Sequence, residues 1–549
     1  MGGAGNGTIY RVTPDGALNL LASFANTNGV GPIGGLTLGA DGALYGTTFQ
    51  GGAQCDCGSI FKVTTDGGFH SLASFNGANG SGPAAGLTFG ADGALYGTTF
   101  AGGASSNGVV FRAGLDGSIL RLYSFDITNG AQPETTLLPD ADGSFYGTAS
   151  SGGANLPPGK STNGVIFKID ANGALTVLAQ FNYTNGSVPD GDLVADGAGG
   201  FLGVTAGGGS NGAGTVFDVS RTGQLSSLQS FNLTNGGAPA GGLVKGPDGR
   251  FYGTTSLGKV TNAINGGGVY RITPQGSFEA LPFFAAPEGF APQSPLVAGS
   301  DGQLYGVTDV GDGASSQAAT RYNYGAVFSL STNGALAPVM TFSGTNGADS
   351  YAPLTLAGDG NFYGVSYAGG SFGAGAVFRV GNPPFITQQP AGLVDLTGSQ
   401  MSFSVTAVGG QPLLFQWLRH GQPLQDGGNI SGSGASNLCL TSFSATDAAA
   451  YSVLISNRYG AVTSAVATLS PPVPGGSIIF GIQTVGNPNQ QTNNVTFLAG
   501  TNAHYIVQFA TNLTTSPWFD LSTNDSTNGF ISVTDESATN ATRFYRVKN

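Results

Sequence analysis

Short apolar, β-branched and aromatic segments alternate with glycine-rich polar turns along residues 1–380, and the alternation repeats about every fifty residues. The phrase Gly-x-[Val/Ile]-[Phe/Tyr] marks the period. It recurs at Gly7 to Tyr10, Gly58 to Phe61, Gly108 to Phe111, Gly164 to Phe167, Gly214 to Phe217, Gly267 to Tyr270, Gly325 to Phe328 and Gly375 to Phe378. Each unit holds four strand-like segments, a to d: Gly35 to Leu38, Ala43 to Thr48, Gly58 to Val63 and Phe69 to Phe75 in the first complete unit. All are short, rich in strand formers and bounded by glycine.

Segments a and b are joined by Asp-Gly at Asp41, Asp92, Asp142, Asp248, Asp301 and Asp359, and c and d by turns such as Asp15-Gly16, Asp66-Gly67 and Asn333-Gly334. Such dipeptides predict tight type I′ hairpins, whose two central residues both need positive φ. Four antiparallel strands per repeat without a helix predict one propeller blade, in which only short edges are left open. The chain supplies c and d first, then six complete units from about Leu36, then a, b and c from Pro353 to Val380. Pairing the two ends predicts a seven-bladed β-propeller over residues 1–380; an eight-bladed ring completed by upstream residues is the alternative. Met1 to Gly7 reads as the middle of a repeat, matching Gly102 to Gly108, so a true N-terminus with a secretion signal is expected upstream.

The Tyr-Gly-Thr-Thr, Gly-Gly and Gly-x-Val-Phe motifs of residues 1–380 resemble the bacterial GloVer tandem repeats, with their Gly-Leu and Gly-Val core. The resemblance implies an exported or surface-located protein and brings no catalytic residues with it. The chain ends at Phe544 to Asn549 without the anchor expected of that family.

Residues 381–471 predict an immunoglobulin-like domain. Phe403 and Val405 alternate inward, Trp417 follows, and Tyr451 stands at a tyrosine corner two residues before Val453. Valines at 405 and 453 replace the usual disulfide, and Cys439 is expected in the core. Residues 472–549 alternate again, at Tyr505 to Phe509, Trp518 to Leu521 and Phe544 to Val547, and resemble a small fibronectin-like β-sandwich module.

Composition narrows the function. Only 9% of residues are charged, but the 40% hydrophobic fraction is enough to fill a core. A net charge of −12 speaks against nucleic acid and anionic membranes, which need clustered Lys and Arg. No apolar run reaches the roughly twenty residues of a membrane span. Cys55 and Cys57 are expected to be free thiols in a loop, and no metal or cofactor set is apparent.

Catalytic motifs are missing from the pattern. Paired carboxylates for glycoside chemistry could come only from Glu134, Asp190, Asp192 and Asp309, with nothing in their spacing to favour a pair. The repeated Asp-Gly aspartates are expected to hold their own hairpins rather than Ca²⁺, which wants six to eight oxygens. The basic column Arg11, Lys62, Arg112, Lys168, Arg271 and Arg379 is expected to pair between blades or face solvent, and Tyr45, Tyr96, Tyr146, Tyr252, Tyr305 and Tyr363 to pack within them.

Antiparallel parity puts the a–b and c–d turns at one end and the b–c and d–a loops at the other. The large departures from the repeat lie in b–c loops: Cys55 to Cys57, Asn155 to Thr162, Lys259 to Asn265 and Asp309 to Tyr324. The Thr-Asn-Gly loops after strand d share that end. Loops on a rigid scaffold concentrate binding residues, so Asn155, Lys160, Asp309, Asp312, Arg321 and Tyr322 are the candidate ligand contacts. The expected protein is a monomeric, non-catalytic, exported surface protein binding a glycan or protein, with the two sandwiches as stalk. A polysaccharide hydrolase or lyase and a structural surface-layer component are the alternatives.

Overall fold

The computed structural model describes residues 6–13, 17–154, 163–258, 266–285, 289–309, 324–371, 373, 375–394, 400–442, 444–470, 478–487, 490–499, 503–510, 519–526, 529–535 and 544–548. Apart from one 3-10 turn at Ala445–Asp447, every regular element among these is a β-strand. The chain divides into two compact units, Met1–Asn382 and Pro383–Asn549.

The first unit is a series of small antiparallel sheets, one per repeat. The first complete sheet orders its strands a-b-c-d as Thr37–Leu38, Leu44–Thr48, Ser59–Val63 and Phe69–Ser74. Six sheets have this four-stranded form. The opening sheet holds only c (Thr8–Val12) and d (Leu18–Ser23), and the closing sheet only a (Thr355–Leu356), b (Phe362–Ser366) and c (Ala376–Val380).

The repeated motif residues explain the packing. The b-strand glycine lets the aromatic of strand c lie across it: a Cβ on Gly97 would stand 2.7 Å from Phe111 Cζ, and one on Gly46 2.5 Å from Phe61 Cζ. That c aromatic also receives the phenylalanine ending strand d of the preceding sheet, at centroid distances of 5.1 Å for Phe24–Phe61, 5.0 Å for Phe75–Phe111 and 5.3 Å for Phe125–Phe167. The cores therefore lie between successive sheets, as where Tyr45 and Phe75 meet Leu87, Leu95 and Phe111. The a segments of successive repeats touch as well, since Thr37 Oγ1 donates to Leu87 O at 2.6 Å and Thr88 Oγ1 to Leu137 O at 2.7 Å.

Several expectations change. The Asp-Gly turns are not type I′: Gly39 N–H donates to Ala43 O and Gly42 N–H to Gly39 O. Gly42 alone takes positive φ, 75°, which is a type I turn closed by a left-handed glycine in a three-residue loop. The aspartate does hold its hairpin, accepting from Ala43 N–H at 3.2 Å and Tyr45 Oη at 2.9 Å. The basic column pairs inside its own sheet, as Lys62–Asp41, Arg112–Asp92 and Lys168–Asp142, because strand c runs beside strand b and its turn. Two members of the column also reach across, Arg11 to Thr65 O and Arg271 to Thr332 O of the next sheet. Lys62, then Tyr45, lowers the Asp41 pKa to about 2. Cys55 and Cys57 form a disulfide instead of free thiols, their Cα atoms 5.2 Å apart. The two chain ends do not merge into one sheet: each brings its own c strand, and the two partial sheets remain separate.

In the second unit Trp417 and Tyr451 are fully buried between sheets, beside Phe403 and Val453. Trp417 Nε1 donates to Ala435 O at 2.9 Å, and Tyr451 Oη donates to Asp447 O at 2.8 Å, the expected tyrosine corner. Cys439 is not core: along Asn437–Leu440 the period of two turns Leu438 and Leu440 inward and leaves Cys439 half-exposed. The remaining strands form two three-stranded sheets, Ile478–Asn487, Gln490–Ala499 and Gly529–Asp535 in one and Phe519–Ser526, Ala503–Ala510 and Phe544–Lys548 in the other.

Candidate functional site

The d–a and b–c loops do share one end of the sheets, where bridges such as Val30–Gln50, Ser81–Ala101 and Ala348–Ala368 tie them together. Of the candidate contacts, Asn155, Lys160, Asp312, Arg321 and Tyr322 lie outside the described residues; Asp309 is described and half-buried. The Thr-Asn-Gly asparagines are occupied by their own turns. Asn28, Asn129, Asn185 and Asn235 each accept on Oδ1 from the main-chain N–H three residues earlier.

Two other groups stand out at this end. In the first, Tyr351 and Tyr367 of the closing sheet project with 46% and 69% of their surface exposed, their rings edge to face at 6.1 Å. The Asp309 carboxylate interacts with the side chains of Tyr351 and Gln293 and feels the charge of Asp349. Burial first, then Asp349, pushes the Asp309 pKa up. Asp349 is held at φ 54°, a left-handed conformation that costs a side-chain-bearing residue free energy. The tyrosines stand on the rim of a cleft of about 800 Å³ between the opening and closing sheets, lined also by Tyr10, Ile33, Tyr363 and Arg379. Exposed aromatic faces beside carboxylates and an amide suit the apolar face and hydroxyls of a sugar ring. Sequence reasoning missed both tyrosines; a column comparison marks Tyr351, which stands where other repeats carry Ile33, Ala84, Glu134, Asp190, Ala240 and Gln293, but not Tyr367, whose position is already aromatic at Phe49 and Phe100.

The second group is acidic. Glu134 and Asp190 occupy the same repeat position in successive repeats, and Glu134 is close enough to raise the proton affinity of Asp190. Surrounding protein, with Glu134 adding to it, pushes the Asp190 pKa up to about 6, and burial also raises Glu134. Both residues are nonetheless exposed to solvent. Asp192 turns instead to the preceding repeat, accepting from Thr136 N–H at 2.8 Å. No cluster of three metal-ligating side chains occurs among the described residues, nor does any helix there have the length and apolarity to cross a membrane.

A carbon-detected NMR titration should place the Asp190 midpoint near 6, with only a small fall in Glu134→Gln because burial is the larger cause. Because the folded pKa is raised, charging Asp190 opposes folding as pH rises from about 4 through 6. A wild-type midpoint near 4 would show a hydrated, uncoupled carboxyl.

These features define a tandem-repeat, all-β protein with an immunoglobulin-like domain and an aromatic, carboxylate-rimmed cleft. The family profile of the Gloeobacter/Verrucomicrobia repeat matches residues 1–217 and 191–402, so the chain belongs to that family. The immunoglobulin I-set profile matches residues 384–469. Among solved structures, the titin M10–obscurin-like 1 Ig complex is similar at 24% identity, covering 17% of this chain and 98% of that one with a TM-score of 0.16. Titin domains A168–A170 match at 15% identity over 45% and 87%, with a TM-score of 0.18. No curated protein matches.

Proposed function

We propose that this is an exported, non-catalytic bacterial surface protein that binds a glycan through the loop end of its repeat unit, with Tyr351 and Tyr367 as the stacking surface. Asp309, Asp349 and Gln293 supply hydrogen-bonding partners for the sugar hydroxyls. The sheets are read as blades of a β-propeller with eight positions, six of them complete. Contact between successive innermost strands and the shared cleft of the first and last sheets support that reading. The fibronectin-like character of residues 472–549, and a stalk role for both C-terminal modules, belong to the same proposal.

The observation that carries it is the pair of exposed tyrosines beside the carboxylates. The full chain, screened on a broad glycan array, should bind a polysaccharide, and Tyr351→Ala/Tyr367→Ala should weaken binding at least about tenfold, or about 1.4 kcal/mol. Equal binding by the double variant would remove the tyrosines from the site. The second reading, a polysaccharide hydrolase or lyase, is favoured by the raised Glu134–Asp190 pair. New reducing ends released by the wild type and lost in Asp190→Asn would establish it.

A further inference from the structure

We propose that the Cys55–Cys57 disulfide is a thiol-exchange site, opened by a dithiol reductant, and not a cross-link that holds the fold. The pair stands in the b–c loop of the first complete sheet, with one residue, Asp56, between its members. A bridge stabilises mainly by removing freedom from the unfolded chain, and a ring this small removes little.

The other b–c loops show how this loop is held without sulfur. Gly58 N–H donates to Gly51 O at 2.8 Å and so closes the loop that carries the two cysteines. The same bond closes Gly102 to Gly108 at 3.1 Å, Gly208 to Gly214 at 2.9 Å and Gly369 to Gly375 at 2.9 Å, and none of these loops contains a cysteine. Ala53 N–H donates to Ser74 Oγ at 2.9 Å, as Ala104 N–H does to Ser124 Oγ at 3.0 Å. Gly82 N–H donates to Cys57 O at 2.9 Å, as Gln132 N–H does to Asn107 O at 2.9 Å. The ties between this loop and its surroundings are thus made in other repeats with no bridge, and the disulfide is surplus to them.

Position separates the two sulfurs. Both cysteines are half-buried between exposed neighbours, Gln54 and Asp56. Cys55 lines a recess of about 420 Å³ together with Asn26, Gln50, Gln54 and Asp56. Cys57 packs instead against the core that holds Phe75 and Phe111. A thiolate entering by the recess therefore attacks Cys55 Sγ. A mixed disulfide forms there, the Cys55–Cys57 bond breaks, and Cys57 leaves and takes up a proton. The second thiolate of the reductant then attacks the reductant's own sulfur in the mixed disulfide, closing its disulfide and releasing Cys55, which is protonated in turn. The Phe75 carbonyl, 3.5 Å from Cys55 Sγ, accepts the S–H of the released thiol. Two electrons and two protons pass to the chain, and the dithiol is oxidised. Accessible bridges that the fold does not need are the exchangeable ones. The inference stands independently of glycan binding.

The test uses the full wild-type chain, with peptide mapping to separate this pair from the half-exposed Cys439. Excess dithiothreitol without denaturant should open the bridge within minutes, read by alkylation and mass spectrometry. The thermal midpoint of Met1–Asn382 should move by less than about 2 °C on reduction. Opening by dithiothreitol alone assigns the site to small thiols, and opening by reduced thioredoxin as well assigns it to protein dithiols. With oxidised glutathione, the thiol left by Cys57→Ser should form its adduct at least about tenfold faster than the thiol left by Cys55→Ser. Equal rates would overturn Cys55 as the attacked sulfur. Reduction only in denaturant, or a midpoint that falls by more than about 2 °C, makes the bridge structural and overturns the proposal.

Discussion

Phe111→Ala should lower the stability of the repeat unit by about 3–5 kcal/mol, the range for emptying a buried aromatic site. Phe111 is fully buried, lies across Gly97 and receives Phe75 from the preceding sheet. Its removal opens a cavity on both sides at once. Gly97 has no side chain to lean into the space, and Phe75 is tethered at the end of its strand, so collapse is limited and the cost falls at the high end. The damage should stay within one unit: scanning calorimetry should show the transition of Met1–Asn382 moving down while that of Pro383–Asn549 keeps its midpoint. Phe111→Leu should cost less, about 1–2 kcal/mol, because most of the volume remains. A loss below about 1 kcal/mol for Phe111→Ala would mean that the cores between sheets repack freely.

Trp417→Ala should be comparably severe in the other unit, at about 3–5 kcal/mol. No disulfide crosses this sandwich, since Val405 and Val453 hold the positions expected for it and both are buried against the tryptophan cluster. A cross-link there would contribute typically about 2–4 kcal/mol, so packing around Trp417 carries what it would have supplied. The substitution also strips the Ala435 carbonyl of its indole donor. Trp417→Phe separates the two effects, keeping much of the apolar area and losing the hydrogen bond, and should cost about 1–3 kcal/mol. Denaturant unfolding followed by intrinsic fluorescence and far-ultraviolet dichroism measures both. Equal losses for alanine and phenylalanine would assign the effect to the hydrogen bond alone.

The repeat was legible because every motif residue has a local job. Tyr45 and Asp41 close a hairpin, Gly46 clears space for Phe61, and Phe75 reaches the next sheet, so each recurs once per unit and reveals itself by period alone. The tyrosine corner was readable for the same reason: Tyr451 bonds a residue four positions away. The turn class was misread because Asp-Gly serves both two-residue and three-residue hairpins, and only the flanking hydrogen bonds separate them. Cys439 was misplaced because composition ranks cysteine as buried, whereas alternation along its strand, fixed by Leu438 and Leu440, decides its side.

The candidate site was less visible. Asp309 was marked by a departure from the repeat, but its neighbours Tyr351, Asp349 and Gln293 come from other loops, and their meeting depends on how successive sheets are set side by side. The pairing of Glu134 with Asp190 has the same origin. Strand order, hairpin positions, the core-facing residues and the break in the repeat after residue 380 were determined by the sequence itself, because period and alternation are properties of a chain that each repeat must satisfy alone; the sequence divides the remainder into two modules, whereas the structure groups Pro383–Asn549 as one unit. Which side chains meet between successive repeats only the tertiary structure decided, as for Asp309 with Asp349 and Glu134 with Asp190. Those meetings depend on how one sheet is set beside the next, and no single repeat encodes that arrangement.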